Sequence, residues 1–327
     1  MMRSVPVPGE LIEFIRSGSK FIIVGHKEPD GDCVGSELAL CSALRRLGKE
    51  VIPCSAGPFK RTEIAKYQDI FKTAPDEADK ANARILIVDC SDLSRTGNIA
   101  PHLEGIPLAY IDHHASGQDN PIKKTALAYM DCDSPSATLL ILEVIKALGL
   151  EPTKEEANFL LFGLCTDTGF FRHIDNNGEE IFLKAAELLK AGASPKNTFN
   201  AIHGGKSYNS RILLGRILSR SQLYFDGHLV LTYEDNNDIC TLGHESRDSD
   251  MLFQLLQSIT GVDAFVLIRQ EKANECSVAL RSRHGVNVGA IAEALGGGGH
   301  KNAAGFTIDG EIPDIEKIIL EKFKDVF

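Results

Sequence analysis

The chain reads as an α/β protein: a doubly wound, mainly parallel sheet joined by a linker to a smaller α/β domain with a mixed sheet. Three observations lead there. The runs Phe21 to Val24 and Ile85 to Val88 are short, apolar and β-branched, as strands buried on both faces of a parallel sheet are. Segments of helical spacing alternate with such runs, the order expected of strand–helix–strand units. Near residue 190 the character changes to a polar, turn-rich stretch, ASPKNTFNAIHGGKSYNS, and alternating strand patterns follow it. At 327 residues the chain is also longer than one hydrophobic core usually serves. The expected division is a first domain over 1–191, a linker over 192–213 and a second domain over 214–327.

Taken in order, Glu10 to Arg16 has the spacing of a short opening helix, and Phe21 to Val24 is the first strand. An acidic loop follows, then a helix from Val34 to Leu47 that Gly48 ends. Val51 to Cys54 is a further strand, and a polar stretch runs on through Ala83. Ile85 to Val88 and the run LAYIDHH, residues 108–114, supply two more strands. Helical spacing returns over Ser136 to Leu148, Lys154 to Cys165 and Glu179 to Lys190. In the second domain a helix over Ser210 to Ser221 precedes the strand-like runs HLVLTYE, AFVLIRQ and CSVALRSR, and a helix over Val288 to Leu295 leads into GGGGHKNAAGF.

Three of the first-domain strands break off at acidic and imidazole side chains, in FIIVGHKEPDGD, ILIVDCSD and LAYIDHH. Ligands of open α/β sheets bind where strands end, so His26, Asp30, Asp32, Asp89, Asp112, His113 and His114 are expected at one edge. Asp167, at the exit of a helix, adds a further acid. A lone Asp-Gly-Asp turn or a lone Asp after a strand is usually a solvated turn or a helix cap. Their joint occurrence at three strand ends points instead to metal. At an effective dielectric of about 20, two unit charges about 4 Å apart interact by roughly 4 kcal/mol, so clustered carboxylates must protonate or bind cations. Two divalent ions balance Asp30, Asp32, Asp89 and Asp167. Carboxylate and imidazole donors suit Mn²⁺ or a similar ion, Mg²⁺ and Co²⁺ included, better than a thiolate-bound structural zinc.

Composition narrows the partners. A formal net charge of −10 argues against capture of long nucleic acid and leaves short anionic substrates open. The eight cysteines, Cys33, Cys41, Cys54, Cys90, Cys132, Cys165, Cys240 and Cys276, form no CxxC pair and are expected to be reduced, in a cytoplasm. No apolar run approaches the roughly 20 residues that span a bilayer, so neither export nor membrane insertion is expected. His102, His228, His244 and His284 stand apart from any cluster.

The segments GHKEPDGDCVGS, VDCSD, DHH and CTDTGFF resemble the successive motifs of the DHH phosphoesterases, and GGGGHKNAAGF resembles the signature of their associated second domain. The resemblance covers nearly the whole chain and is greatest to the stand-alone two-domain branch. It implies one Mn²⁺ held by His26, Asp30 and Asp89, and a second held by Asp32, Asp89, His113 and Asp167. It implies that His114 faces the scissile phosphate and that Asp112 orients its neighbours. It further implies that Arg281, the loop Gly296, Gly297, Gly298 and Gly299, and His300 bind the far end of the substrate, with the linker permitting closure, and that the protein is a homodimer. The implied activity is Mn-dependent hydrolysis of oligoribonucleotides of two to five nucleotides, and removal of the 3′-phosphate of 3′-phosphoadenosine 5′-phosphate (PAP), by a water activated between two ions. A phosphodiesterase for linear pApA or cyclic di-AMP, and a non-catalytic nucleotide-binding regulator, are the competing readings. An inorganic pyrophosphatase is disfavoured because no SRKKQ-type basic motif is found.

Overall fold

A computed structural model describes residues 5–114, 127–174, 178–283 and 285–327; His284 lies outside the described residues. In the first part of the chain, β1 (Lys20–Val24), β2 (Glu50–Cys54), β3 (Arg84–Val88), β4 (Leu108–Asp112) and β5 (Leu127–Met130) form one sheet in the order β2-β1-β3-β4-β5. Every neighbouring pair is parallel. The helices are α1 (Gly9–Ser17), α2 (Gly31–Arg46), α3 (Glu77–Lys80), α4 (Ala100–Leu103), α5 (Ala137–Ala147), α6 (Lys154–Asp167), α7 (Glu179–Lys190) and α8 (Pro195–His203). Phe21, Ile23, Leu86 and Val88 face a core shared with α1, α2, α5 and α6. The alternate residues Ile22, Val24, Ile85 and Ile87 pack with Ile99, Leu103 and Tyr110 on the other face. Burial on both faces accounts for the unbroken apolar runs, and the parallel order carries the residues after β1, β3 and β4 to one edge.

The remaining elements are α9 (Tyr208–Ser219), β6 (Gln222–Tyr224), β7 (Leu229–Glu234), α10 (Asn236–Leu242), α11 (Ser249–Gln257), β8 (Ala264–Lys272), β9 (Glu275–Ser282), α12 (Val288–Glu293), β10 (Gly298–His300), β11 (Ala303–Asp309) and α13 (Ile312–Phe323). Their sheet is mixed, in the order β10-β11-β9-β8-β7-β6, with β7 and β8 parallel and the other pairs antiparallel. Residues of α12 and α13 cover one core, and residues of α9, α10 and α11 cover another. Two compact units result, Met1–Gly205 and Lys206–Phe327. Among the described residues no helix is long and apolar enough to cross a membrane.

Four expectations are corrected. The helix expected from Val34 begins at Gly31, because the Asp30 carboxylate caps it by accepting from the backbone N–H groups of Asp32 and Cys33. Asp32 therefore stands in a helical first turn, not in an open loop. The stretch 192–213, expected as linker, contains α8, capped by Ser194 with Pro195 in its first turn, and the start of α9. Strand β5 has no counterpart in the sequence pattern, since four residues without an acidic tip carry little signal. Finally, the glycine run expected as a loop is partly an edge strand, β10, hairpinned to β11.

Helices α2 and α6 approach closely because glycines face the contact. A Cβ at Gly35 would lie 2.6 Å from the Phe159 carbonyl oxygen, and one at Gly163 would lie 2.4 Å from Thr138 Cγ2 and 2.8 Å from Asp32 Oδ1. Glu156 ties the same helices polarly. It is fully buried, and its carboxylate accepts from Ser42 Oγ at 2.7 Å, Arg46 Nη1 at 2.7 Å and the Thr153 N–H at 2.8 Å. Glu156→Ala should therefore destabilise the fold by roughly 3 kcal/mol, because it strips a buried acceptor from three donors. Chemical denaturation measures this; a loss under about 1 kcal/mol would contradict the assigned role.

Candidate metal centre

Asp89 is the first residue past β3 and is nearly inaccessible to solvent. Its backbone is left-handed, with φ of 56°, a conformation that Asp tolerates better than most side chains. Its N–H still bonds the Ile111 carbonyl at 3.0 Å, so the sheet holds the residue while the chain turns. The two carboxylate oxygens then face different partners. Oδ2 lies 3.5 Å from His26 Nε2, and Oδ1 lies 3.4 Å from His113 Nε2.

His26 donates Nδ1–H to the Lys27 carbonyl at 2.9 Å, which leaves Nε2 facing Asp89 and, at 3.8 Å, Asp30 Oδ2. Asp30 spends Oδ1 on capping α2, so Oδ2 remains for the cluster. His113 follows the same rule: Nδ1 bonds the Ser134 carbonyl at 3.1 Å, and Nε2 faces three carboxylates. Those are Asp89 Oδ1 at 3.4 Å, Asp32 Oδ2 at 3.6 Å and Asp167 Oδ2 at 3.5 Å. Asp167 reaches this point from the last turn of α6. Asp32, His113 and Asp167 thus group as residues that could hold an ion, and Asp89 lies between this group and a second one, His26 with Asp30 beside it.

The other two residues of the DHH triplet form a pair beside the cluster, with His114 Nδ1 3.7 Å from Asp89 Oδ1. Asp112 is fully buried, and its Oδ1 accepts from the N–H groups of His113 and His114 and from His114 Nδ1 at 2.7 Å. His114 is thus held by Nδ1, which leaves Nε2 uncommitted to Asp112, on a ring about one-third exposed. Cys33 Sγ lies near His26 and Asp89 as a possible third donor. Burial pushes its thiol well up, and it donates to Glu37 Oε1, so it is not the thiolate a metal requires.

These residues suit cations. Asp89 Oδ1 and His113 Nε2 are buried, yet neither finds a hydrogen-bond partner. Donor atoms 3.4 to 3.6 Å apart, as around His113, match two ligands at about 2.1 Å from a common ion. The protein alone compensates its crowded carboxylates with protons. Burial pulls the His26 imidazole down, but hydrogen bonds and charge from Asp30 and Asp89 outweigh it and raise it to about 10. His113 is raised likewise, burial again being outweighed by Asp89 and Asp32. Burial, then repulsion from Asp89 and Asp167, raises Asp32; burial and Asp89 raise Asp167 to about 6 against the pull of His113. Asp30 is lowered: burial is overcome by its hydrogen bond to His26.

In the second unit the structure places Arg281 and His300 in one cross-strand row, with Ala303 between them. Cross-strand partners run His300, Ala303, Arg281 and Phe265, so these side chains share one sheet face. The Arg281 guanidinium lies over the Phe253 ring at 4.8 Å from its centroid. Gly297 has no room for a side chain, since a Cβ would meet the Gly305 carbonyl oxygen at 2.2 Å. Gly296 and Gly299 take positive φ, 81° and 144°. Arg283 is committed to structure: it donates to the carbonyls of Val262, Gln257 and Ile259. Sequence reading missed Ser134 and Thr138, which hold His113 and Asp32. The motif Ser-x-Thr before an apolar run marked a helix start, but nothing in it named a partner more than a hundred positions away.

Residues 20–164 match the DHH family N-terminal domain, and residues 239–326 match the DHHA1 domain. A Thermus thermophilus protein named bifunctional oligoribonuclease and PAP phosphatase NrnA is 33% identical over 288 residues, 88% of this chain and 84% of that protein. The cyclic-di-AMP phosphodiesterase GdpP of Bacillus subtilis is 26% identical over 94% of this chain, which spans 48% of GdpP. A solved exopolyphosphatase-related protein from Bacteroides fragilis superposes with a TM-score of 0.78 at 23% identity, over 97% of this chain and 95% of that one, a likeness of fold.

Cations and protons compete for these groups. In the metal-free protein the His26 proton persists to about 10, against 6.5 for an ordinary histidine, so it stabilises the fold fully below about 6.5 and that stability is lost as pH rises through about 10. Mn²⁺ must displace such protons. Its apparent affinity should strengthen steadily between pH 6.5 and 10, with proton release visible by calorimetry in buffers of different ionisation enthalpy. An affinity flat across that window would contradict this electrostatic picture.

Proposed function

This chain belongs to the DHH family and is a hydrolase of phosphate esters, and we propose that it uses two divalent ions, Mn²⁺ foremost, to cleave oligoribonucleotides of two to five nucleotides and to dephosphorylate PAP. The observation that carries the proposal is Asp89, whose two oxygens face separate donor sets. His26, Asp30 and Asp89 would hold one ion; Asp32, Asp89, His113 and Asp167 would hold the other. Bound there, the ions neutralise phosphate charge and acidify the attacking water. The full set of donors weighs against a non-catalytic regulator.

The protein's own groups do the rest. With Nδ1–H committed to Asp112, His114 meets the substrate through Nε2, and when protonated it donates to a phosphoryl oxygen. The buried Asp112 carboxylate opposes the positive charge on that ring and fixes its rotation. In the second unit Arg281, held over the Phe253 ring, presents a forked donor of the kind that suits phosphate, with His300 in the same cross-strand row. The exposed backbone of Gly298 and Gly299 lets a nucleotide lie close. A net charge of −10 supports short substrates over long ones.

The likeness to GdpP favours a second reading, in which linear pApA or cyclic di-AMP is the preferred substrate. A panel with Mn²⁺ separates the two: pApA, RNA of two to five nucleotides, longer RNA, cyclic di-AMP and PAP. The proposal expects the highest kcat/KM on the short RNAs together with turnover of PAP; preference for long RNA would sink it. His114→Ala should lower kcat by about 10² to 10³ while Mn²⁺ binding is retained. Wild-type turnover in that variant would remove His114 from the mechanism.

A further inference from the structure

We propose that Thr138, backed by Ser136, is a positioning residue for one ion position only, the one served by Asp32 and His113. The inference rests on the two-ion reading and deepens it. Both ligands take their orientation from one five-residue segment, Ser134 to Thr138, between β5 and the first turn of α5. His113 Nδ1 bonds the Ser134 carbonyl at 3.1 Å. Asp32 Oδ2 accepts the Ala137 N–H at 2.6 Å, and Asp32 Oδ1 accepts the Thr138 N–H at 3.0 Å and the Thr138 hydroxyl at 2.8 Å.

Proton bookkeeping gives this contact a direction. An ionised carboxylate only accepts, so the single hydroxyl proton of Thr138 belongs to Asp32. The Ser136 hydroxyl, 2.9 Å from Thr138 Oγ1, must then be the donor of that pair. Both hydroxyl residues are fully buried, and the α5 N-terminus adds its partial positive charge beneath the carboxylate. The Thr138 methyl is confined as well, since it sits 2.4 Å from where a Gly163 side chain would begin. The assembly holds Asp32 with Oδ2 turned to His113 Nε2, 3.6 Å away.

The other ion position has its own supports. Asp30 is held by the N–H groups of Asp32 and Cys33 in the first turn of α2, and His26 by the Lys27 carbonyl, all within residues 26 to 33. No hydrogen bond from Ser134 to Thr138 reaches either residue. Loss of the Thr138 hydroxyl should therefore be felt at one ion and not at the other. Removing an orienting partner of a metal ligand commonly weakens binding by about 10- to 100-fold.

The test is equilibrium dialysis of Mn²⁺ together with electron paramagnetic resonance on the wild type, Thr138→Val and Thr138→Ser. Thr138→Val keeps the shape and removes the hydroxyl; one ion should weaken by about 10- to 100-fold while the other holds. Thr138→Ser should restore the wild-type isotherm and spectrum. Two unchanged affinities in Thr138→Val, or equal weakening of both, overturn the proposal and leave the two-ion reading standing. A wild type that binds fewer than two ions overturns both. If Thr138→Val does not fold, Ser136→Ala carries the test: it removes the donor behind Thr138, and a smaller loss at the same single position is expected, no loss overturning the proposal.

Discussion

The structure of the first unit depends on one constraint: several carboxylates must share a small buried volume. At an effective dielectric of about 20 each neighbouring pair about 4 Å apart repels by roughly 4 kcal/mol, so the arrangement is tenable only with positive charge between them. Asp89 is where this is most acute. It is buried, left-handed in backbone, and faces imidazoles on both sides. In the absence of cations those imidazoles keep protons they would otherwise shed, which is the same compensation by another species. Metal binding is in that sense the exchange of diffuse protons for localised divalent charge.

The rest of the unit is arranged to hold the donors still. Parallel pairing brings the ends of β1, β3 and β4 to one edge, which no antiparallel order of the same strands would do. Helix α2 brings Asp30 at its cap and Asp32 in its first turn, α6 brings Asp167 in its last turn, and α5 turns its N-terminus to Asp32. Small residues make that three-helix contact possible, because a side chain at Gly163 would collide with both Asp32 and Thr138. Glu156 joins α2 to α6 farther along the same interface, so stability and ligand geometry draw on one contact.

Much of this was legible in the sequence, and what was not has physical causes. The acid-tipped strands were readable because a buried parallel strand is a continuous apolar run, and a polar residue directly after it has nowhere to go but the sheet edge. His26, Asp89 and His113 lie together at that edge, and Asp167 reaches them from the end of a helix, where its position in the sequence places it. Asp32 reads as a loop residue because Asp-Gly-Asp is compatible with both a turn and a capped helix start, and only the Asp30 cap decides between them. Helix α8 hid in a polar stretch, although Ser194 and Pro195 were its start signal. Gly298 to His300 form a strand despite the glycines, because pairing with β11 supplies what local propensity lacks. The partnership of Thr138 with Asp32, and the withdrawal of Arg283 into helix-end carbonyls, are tertiary facts that no local pattern encodes.

A two-ion centre stands or falls on Asp89 serving both donor sets. Counting Mn²⁺ per chain by equilibrium dialysis for Asp89→Ala beside Asp167→Ala tests it most directly. The account predicts that Asp167→Ala weakens one ion, whereas Asp89→Ala weakens both and abolishes phosphoesterase activity. An Asp89→Ala protein that stays folded and keeps either ion at wild-type affinity would contradict it.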